Sequence, residues 1–263
     1  MSGGSRCAGN SHGGDSAGWL ELRGVRLALG GVPVLDRVDL EVPRHGRLAL
    51  VGPSGCGKST LLRLAAGLVE PDAGRVAVGG SAVAADRLAA CALMPQKDLL
   101  LPWRNALDNT CVALENRGIG RAEARRRALP LFERLGLEGF AGHRPWQLSG
   151  GMRQRVAFLR TLLAGKETLL LDEPFGALDA ITRAQAQEWL AVALAAEPRT
   201  VVLVTHDVEE AFLLADRVAV LSARPARVAR VLDAEYPRAA TRRETITGAA
   251  FTRLREAALE ALE

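Results

Sequence analysis

The sequence predicts an α/β fold, a sheet-centred domain in which strands and helices alternate along the chain. Three observations predict it. Short apolar runs with strand character recur between segments with helical spacing. A glycine-rich stretch, Gly52 to Ser59, lies between one such run and the helical segment that follows. A later run, Thr168 to Leu171, is apolar without alternation, as a parallel strand buried on both faces would be.

Taken in order, Trp19 to Leu29 alternates apolar and polar residues and reads as a strand. Val34 to Val42 reads as a second strand and Arg47 to Val51 as a third. The stretch after Lys58 (STLLRLAAGL) reads as a helix, stopped near Gly67 and Pro71. Short strands are expected around Arg75 to Val78 and Cys91 to Met94. From Asn105 to about Ala164 the pattern is mostly helical, broken at Gly118, Gly136 to Gly142 and Pro145, and reads as a subdomain inserted at about 97–164. After Thr168 to Leu171, a helix is expected over Ala180 to Ala196, with strands over Thr200 to Val204 and Arg217 to Leu221. The tail places Phe251, Leu254, Ala258 and Leu262 on one helical face. The expected division is a Gly/Ser-rich disordered leader over 1–18, a main domain over 19–250 and a C-terminal amphipathic helix over 251–263. No internal repeat is visible.

Composition narrows the function. Hydrophobic residues are 48% of the 263, but aromatics only 4%, so the core must be built from Leu, Val and Ala. Charged residues at 24% are ordinary for a soluble domain and exclude disorder for the bulk of the chain. The net charge of +4 is a mild basic excess carried almost wholly by arginine, since Lys58, Lys97 and Lys166 are the only lysines. There is no basic-aromatic stripe, so no nucleic-acid partner is expected; Arg125, Arg126 and Arg127 read as a solvated helix face. Cys7, Cys56, Cys91 and Cys111 form no C-x-x-C pair, which argues against a zinc site or a redox motif and suits a reducing compartment. No apolar run approaches the ~20 residues of a membrane helix. The N-terminus does not read as a signal peptide. A cytosolic protein is expected, with any membrane role coming through a partner.

Gly52-Pro53-Ser54-Gly55-Cys56-Gly57-Lys58-Ser59 matches the G-x-x-x-x-G-K-[ST] phosphate loop, after an expected strand and before an expected helix. Glycines let the backbone wrap phosphate oxygens, and the helix N-terminus adds positive field. Lys58 then neutralises β/γ oxygens and Ser59 ligates Mg²⁺, while Thr60 reads as the next helix residue along the nucleotide. Cys56 has two readings: a thiolate favoured by the helix terminus and by Lys58, or a small buried residue filling space. The run Leu169-Leu170-Leu171-Asp172-Glu173 is an apolar strand ending in two acids, and a buried acid needs a cation or hydrogen bonds. Asp172 fits a Mg²⁺ carboxylate. Glu173 fits the base that activates the attacking water. Alone, such a pair is as often a helix cap; beside a phosphate loop it points to an NTPase.

Leu148-Ser149-Gly150-Gly151-Met152-Arg153-Gln154-Arg155 resembles the signature motif of ABC ATPases. Other matches follow in order: Gln96 resembles the Q-loop glutamine, Ala177-Leu178-Asp179 the D-loop, and His206 the switch histidine. The resemblance covers about Trp19 to Leu221. It implies a P-loop NTPase of the ABC type, with a RecA-like core, an antiparallel β subdomain and an inserted helical subdomain. It implies ATP and Mg²⁺ as cofactors, with Ser59, Asp172 and Gln96 near the metal. It also implies an ATP-dependent homodimer in which Ser149, Gly150 and Gly151 act in trans. One departure stands out: where the family has an aromatic residue stacking on adenine, this chain has Leu29.

The segment Leu99 to Asn109 (LLLPWRNALDN), the block Asp172 to Arg183 and the tail around Arg224 to Val228 resemble ATPases of nitrate, sulfonate, taurine and thiamine-precursor pyrimidine importers. Val156-Ala157-Phe158-Leu159-Arg160-Thr161 leans toward the pyrimidine branch. The partners so implied are permease subunits and, through them, a solute-binding protein, which places the chain peripherally at the membrane. The alternatives are an ATPase of an exporter or lipid-trafficking complex, a soluble non-transport ABC ATPase, and a nucleotide-binding regulator without turnover. The Pro102-Trp103 segment speaks against the first, a single ATPase unit without heptads against the second, and an intact Glu173 and His206 against the third.

Overall fold

A computed structural model describes residues 18–176, 178–196, 198–236 and 242–262. The expected leader falls almost wholly outside the described residues. A six-stranded sheet forms the centre. Its strands are β3 (Arg47–Val51), β5 (Cys91–Met94), β6 (Thr168–Asp172), β7 (Thr200–Val204), β8 (Arg217–Leu221) and β9 (Val228–Asp233). The order is β5-β6-β7-β3-β8-β9, parallel except for β9, which runs antiparallel on the edge. A second sheet, β2-β1-β4, is antiparallel: β1 (Leu20–Leu29), β2 (Val32–Val42) and β4 (Ala73–Val78).

Successive residues of the central strands alternate between two cores, because side chains in a strand point to opposite faces. Ala49, Val51, Leu169, Leu171, Val201, Leu203, Val218 and Val220 enter the core packed on one face. Leu48, Leu50, Leu170, Val202, Val204, Ala219 and Leu221 enter the other. This two-sided burial is why the runs in the sequence are continuously apolar. The second core is closed by the antiparallel sheet and by α1 (Lys58–Ala65), whose Leu61, Leu62, Leu64 and Ala65 fill the space between the sheets. Helix α1 ends where Gly67 takes φ +74° and its N–H bonds the Leu64 carbonyl.

The first core is closed by α5 (Gly150–Leu162), α6 (Ala180–Ala196), α7 (Val208–Leu214) and α9 (Ala249–Glu260). On α9, Phe251 and Ala258 are buried, with Leu254 and Leu262 packed beside them. Between β5 and β6 the chain inserts α3 (Ala106–Asn116), α4 (Arg121–Arg134) and a 3₁₀ turn at Pro145–Gln147 ahead of α5, the inserted helical subdomain. Four further short elements were not anticipated: α2 (Ala84–Ala90), α7, β9 and α8 (Arg242–Thr247). A correction concerns Arg125. It is not a merely solvated face residue: it and Arg121 grip the buried carboxylate of Asp108 at 2.8 and 2.5 Å. Arg126 and Arg127 pair with Glu123 on their own helix.

Candidate active site

Four segments meet at the carboxyl edge of the parallel strands, where open α/β sheets place ligands. After β3 comes the loop Gly52 to Gly57. Its glycines are needed where they stand. Gly55 and Gly57 take φ +74° and +130°, and a Cβ on Gly57 would lie 2.9 Å from the Leu35 side chain of β2. A Cβ on Gly52 would lie 2.9 Å from the Leu221 carbonyl at the end of β8. Pro53, Ser54 and Gly55 are exposed along the rim, while Cys56 and Lys58 are buried. The Lys58 ammonium is held at the loop by the carbonyls of Gly52 at 2.7 Å and Pro53 at 2.9 Å. Ser59 and Thr60 follow, half-buried, on the first turn of α1.

At the end of β6, Asp172 is buried. Burial pushes its carboxyl above the ordinary range and the neighbouring Glu173 charge adds to this, while a hydrogen bond with the Ser59 side chain and the Lys58 charge pull the other way. Glu173 is a non-glycine residue of this edge held at positive φ, 49°. That backbone costs about 1–3 kcal/mol and persists only where surroundings fix it. Here the Glu173 N–H donates to the Val204 carbonyl at 2.9 Å, and Gln154 of α5 donates its Nε2 to the Glu173 carbonyl at 3.3 Å. The side chain is thereby turned between two neighbours. Gln96 Nε2, after β5, donates to Glu173 Oε2 at 3.2 Å. His206 Nδ1, after β7, lies 3.6 Å from the same oxygen.

The structure therefore brings together Lys58, Ser59, Asp172, Glu173, Gln96 and His206. It keeps the signature segment apart: Ser149 caps α5, accepting from the Met152 N–H at 3.2 Å, and Ser149 and Gly150 are exposed. Among the described residues no hydrogen bond joins Ser149, Gly150 or Gly151 to the phosphate loop. Asp179 caps α6, accepting from the N–H groups of Ile181 and Thr182 and from the Thr182 hydroxyl. Ala177 lies outside the described residues. Leu29 is exposed at the tip of the β1–β2 hairpin, opposite Val32, across a turn in which Gly30 and Gly31 both have positive φ. Gln154 was missed, because it acts through a backbone carbonyl and no motif spacing marks that role.

The decisive comparison is with family models: one described as ABC transporter matches residues 35–176, more than half of the chain. The chain belongs to the ABC transporter family. Relatives agree. This ABC chain is 44% identical over 210 residues to a taurine import ATP-binding protein of Rhizobium johnstonii, covering 79% of each chain. It is 48% identical over 203 residues to an aliphatic sulfonates import ATP-binding protein of Rhodococcus jostii, covering 77% of this chain and 79% of that one. Among solved structures, a dimeric ATP-binding cassette in a post-hydrolysis state bound to ADP and Pi superposes with a TM-score of 0.74 at 30% identity, covering 83% of this chain and all of the other. The fold is that of a P-loop ABC cassette, and the protein is an ATP-binding ATPase.

The residues present fit Mg-ATP. The loop is one in which Cβ atoms at Gly52 and Gly57 would collide with neighbours, leaving bare backbone for phosphates. The Ser59 hydroxyl and the Asp172 carboxylate are a hard-oxygen donor pair. Among the described residues no cluster of three His, Cys, Asp or Glu could hold a metal by itself. Mg²⁺ is bound through one or two protein oxygens together with substrate phosphates, the role this donor pair fits.

Proposed function

We propose that this chain is the ATP-hydrolysing subunit of an importer for a small sulfonate-type solute, working as a homodimer on a membrane permease. The observation that carries the chemistry is the placement of Glu173 at a strained turn, its carboxylate between Gln96 and His206 and one residue from Asp172. Bound Mg-ATP supplies the phosphoanhydride bond and the cation that offsets its charge. Ser59, Asp172 and Gln96 would hold the Mg²⁺, and Lys58 with the loop backbone the phosphates. Glu173 accepts the proton of the attacking water, with Gln96 orienting its Oε2. His206 stands on the other side of that carboxylate to contact the terminal phosphate. Leu29 and Val32 at the hairpin tip offer an apolar platform for adenine. Ser149, Gly150 and Gly151 complete the site of a second copy, since in their own chain Ser149 and Gly150 are exposed.

The importer reading rests on the relatives, both named for import and both for sulfonic acids. Neither of these relatives is named for nitrate or for a pyrimidine, the leaning of Val156 to Thr161. Permease and solute-binding protein follow from the same reading. No helix among the described residues is long and apolar enough to cross a membrane, so translocation needs another subunit. The docking face is the helical side around Leu99, Trp103 and Trp146, exposed by 61%, 70% and 69%. Arg144 joins the two tryptophan segments by donating to the Trp103 carbonyl.

The test is Glu173→Gln. ATP binding is retained, turnover falls by about a hundredfold or more, and ATP shifts the variant to a sedimenting dimer. Turnover near wild type would refute Glu173 as the base. Uptake of labelled taurine by cells with and without the gene tests the solute; unchanged uptake of every sulfonate tried would reject that assignment.

A further inference from the structure

His206 is bracketed by two residues whose side chains do not touch the phosphate edge. Thr205, before it, is buried, and its backbone N–H is fixed to the Leu50 carbonyl of β3 at 3.2 Å. Asp207, after it, caps α7 by accepting from the N–H groups of Glu209 at 2.9 Å and Glu210 at 3.1 Å. The Thr205 hydroxyl accepts from the Asp207 N–H at 3.1 Å and hydrogen-bonds the Glu210 carboxyl. Glu210, 3% exposed, accepts on Oε2 from Gln187 Nε2 of α6 at 2.8 Å. Both partners of that contact are therefore buried side chains on different helices.

A second strand of the same network starts at the beginning of α6. Arg183 donates Nη2 to the Leu178 carbonyl at 3.0 Å, and its backbone N–H bonds the Asp179 carbonyl at 2.8 Å. Its Nη1 lies 4.0 Å from Asp207 Oδ2. Arg183 thus spans from the segment Leu178–Asp179 to the cap beside His206.

The arrangement is poor as a stabilising device. Burial pushes the Glu210 carboxyl above its ordinary range and the Asp207 charge adds to this, while the Thr205 and Gln187 hydrogen bonds oppose them. Gln187 Oε1 and Arg183 Nε are buried without a hydrogen-bond partner among the described residues. Buried polar atoms left unpaired cost stability, and apolar residues of similar size pack more cheaply. Stability alone does not account for the network, but its geometry connects two parts of the site.

We propose that Thr205, Glu210 and Gln187, with Arg183 and Asp207, form a positioning network that fixes His206 relative to the Leu178–Asp179 segment. A shift of that segment moves Arg183 and α6, and through Asp207 and Glu210 resets the histidine. The proposal rests on the reading that His206 acts on the terminal phosphate. None of the five residues needs to touch nucleotide; they act through the backbone on either side of His206.

The test compares kcat, KM for ATP and melting temperature in full-length Glu210→Leu, Gln187→Glu, and the swap Gln187→Glu with Glu210→Gln. An apolar Glu210→Leu should lower kcat by about ten- to a hundredfold, the scale of a small misplacement of a catalytic group, with KM little changed and the kcat loss persisting at temperatures well below its own melting point. The swap restores a carboxyl–amide contact in reverse and should recover most of kcat. Should Glu210→Leu fail to fold, Arg183→Met, whose side chain is partly exposed, gives the same kcat loss by cutting the other strand. His206→Ala is run alongside. Full turnover in His206→Ala sinks the site reading itself. A dead His206→Ala beside fully active network variants sinks the positioning role alone. A kcat loss that follows melting temperature, or a swap that recovers nothing, would assign the residues to packing only.

Discussion

Cys56 lies two positions before Lys58, within the loop at the start of α1. Its side chain is 2% exposed and packs under the loop, with Sγ 3.1 Å from where a Cβ on Gly52 would stand. The space-filling reading prevails: the loop turns its backbone to the rim and tucks the cysteine into the core beneath it. Cys91 and Cys111 are buried too, and burial pushes their thiols up to about 12 and about 11. Maleimide should therefore leave these three thiols unmodified in the native ATPase and leave turnover intact, with full labelling after denaturation. Rapid labelling of Cys56 with loss of turnover would contradict the packing described. At this scale the sequence was most legible where partners are neighbours in the chain, as in Gly52 to Ser59. Glu210 and Gln187 are 23 residues apart and Gln154 reaches a carbonyl 19 residues on. Such partnerships have no local pattern, so they appear only once helices are packed.

The helices of the inserted subdomain are joined by a charge that periodicity hides. Asp108 sits in the first turn of α3, capped by Asn105, yet its side chain is buried and held by Arg121 and Arg125 of α4. Burial alone raises a carboxyl, but the hydrogen bonds and charges of Arg125 and Arg121 outweigh it, so Asp108 titrates below the ordinary range. The folded state thus favours the carboxylate. Its stabilisation is present above the unfolded pKa, about 3.9, and is lost as pH falls through the lowered folded value. Asp108→Asn should cost about 1–2 kcal/mol at neutral pH, a charged hydrogen bond discounted because both arginines are partly in water. The gap should shrink in urea titrations run below pH ~3.9. A gap that is constant with pH would assign the loss to shape rather than charge. Two of the elements missed in the sequence bury too little to show a stripe, whereas α7 is mostly buried but only seven residues long. Helix α2 buries only Arg87 and edge strand β9 only Leu232. The long strands β1 and β2 were legible because burial on alternate residues leaves a periodic trace.

In the whole molecule, the hydrolytic edge and the signature turn point to different surroundings. Glu173, Gln96 and His206 converge within one chain, whereas Ser149 and Gly150 are exposed at the start of α5 with their N–H groups unassigned to any partner loop. A helix start is an anion site in search of an anion, and a second copy supplies one if its phosphate loop carries ATP. The related cassette solved with ADP and Pi is dimeric. The proposed composite site makes a quantitative prediction. Ser149→Arg removes the signature contribution and Lys58→Ala the phosphate contribution, so each homodimer has two damaged sites and should lose nearly all turnover. In a mixed dimer, the Ser149→Arg subunit keeps its own phosphate loop and receives an intact signature from the Lys58→Ala subunit. One site is whole and the other carries both lesions. Mixing equal amounts makes about half of the dimers mixed, so turnover should recover to about a quarter of wild type if each site works independently. Measured ATPase activity of the mixture equal to the sum of its components would show that Ser149 acts within its own chain.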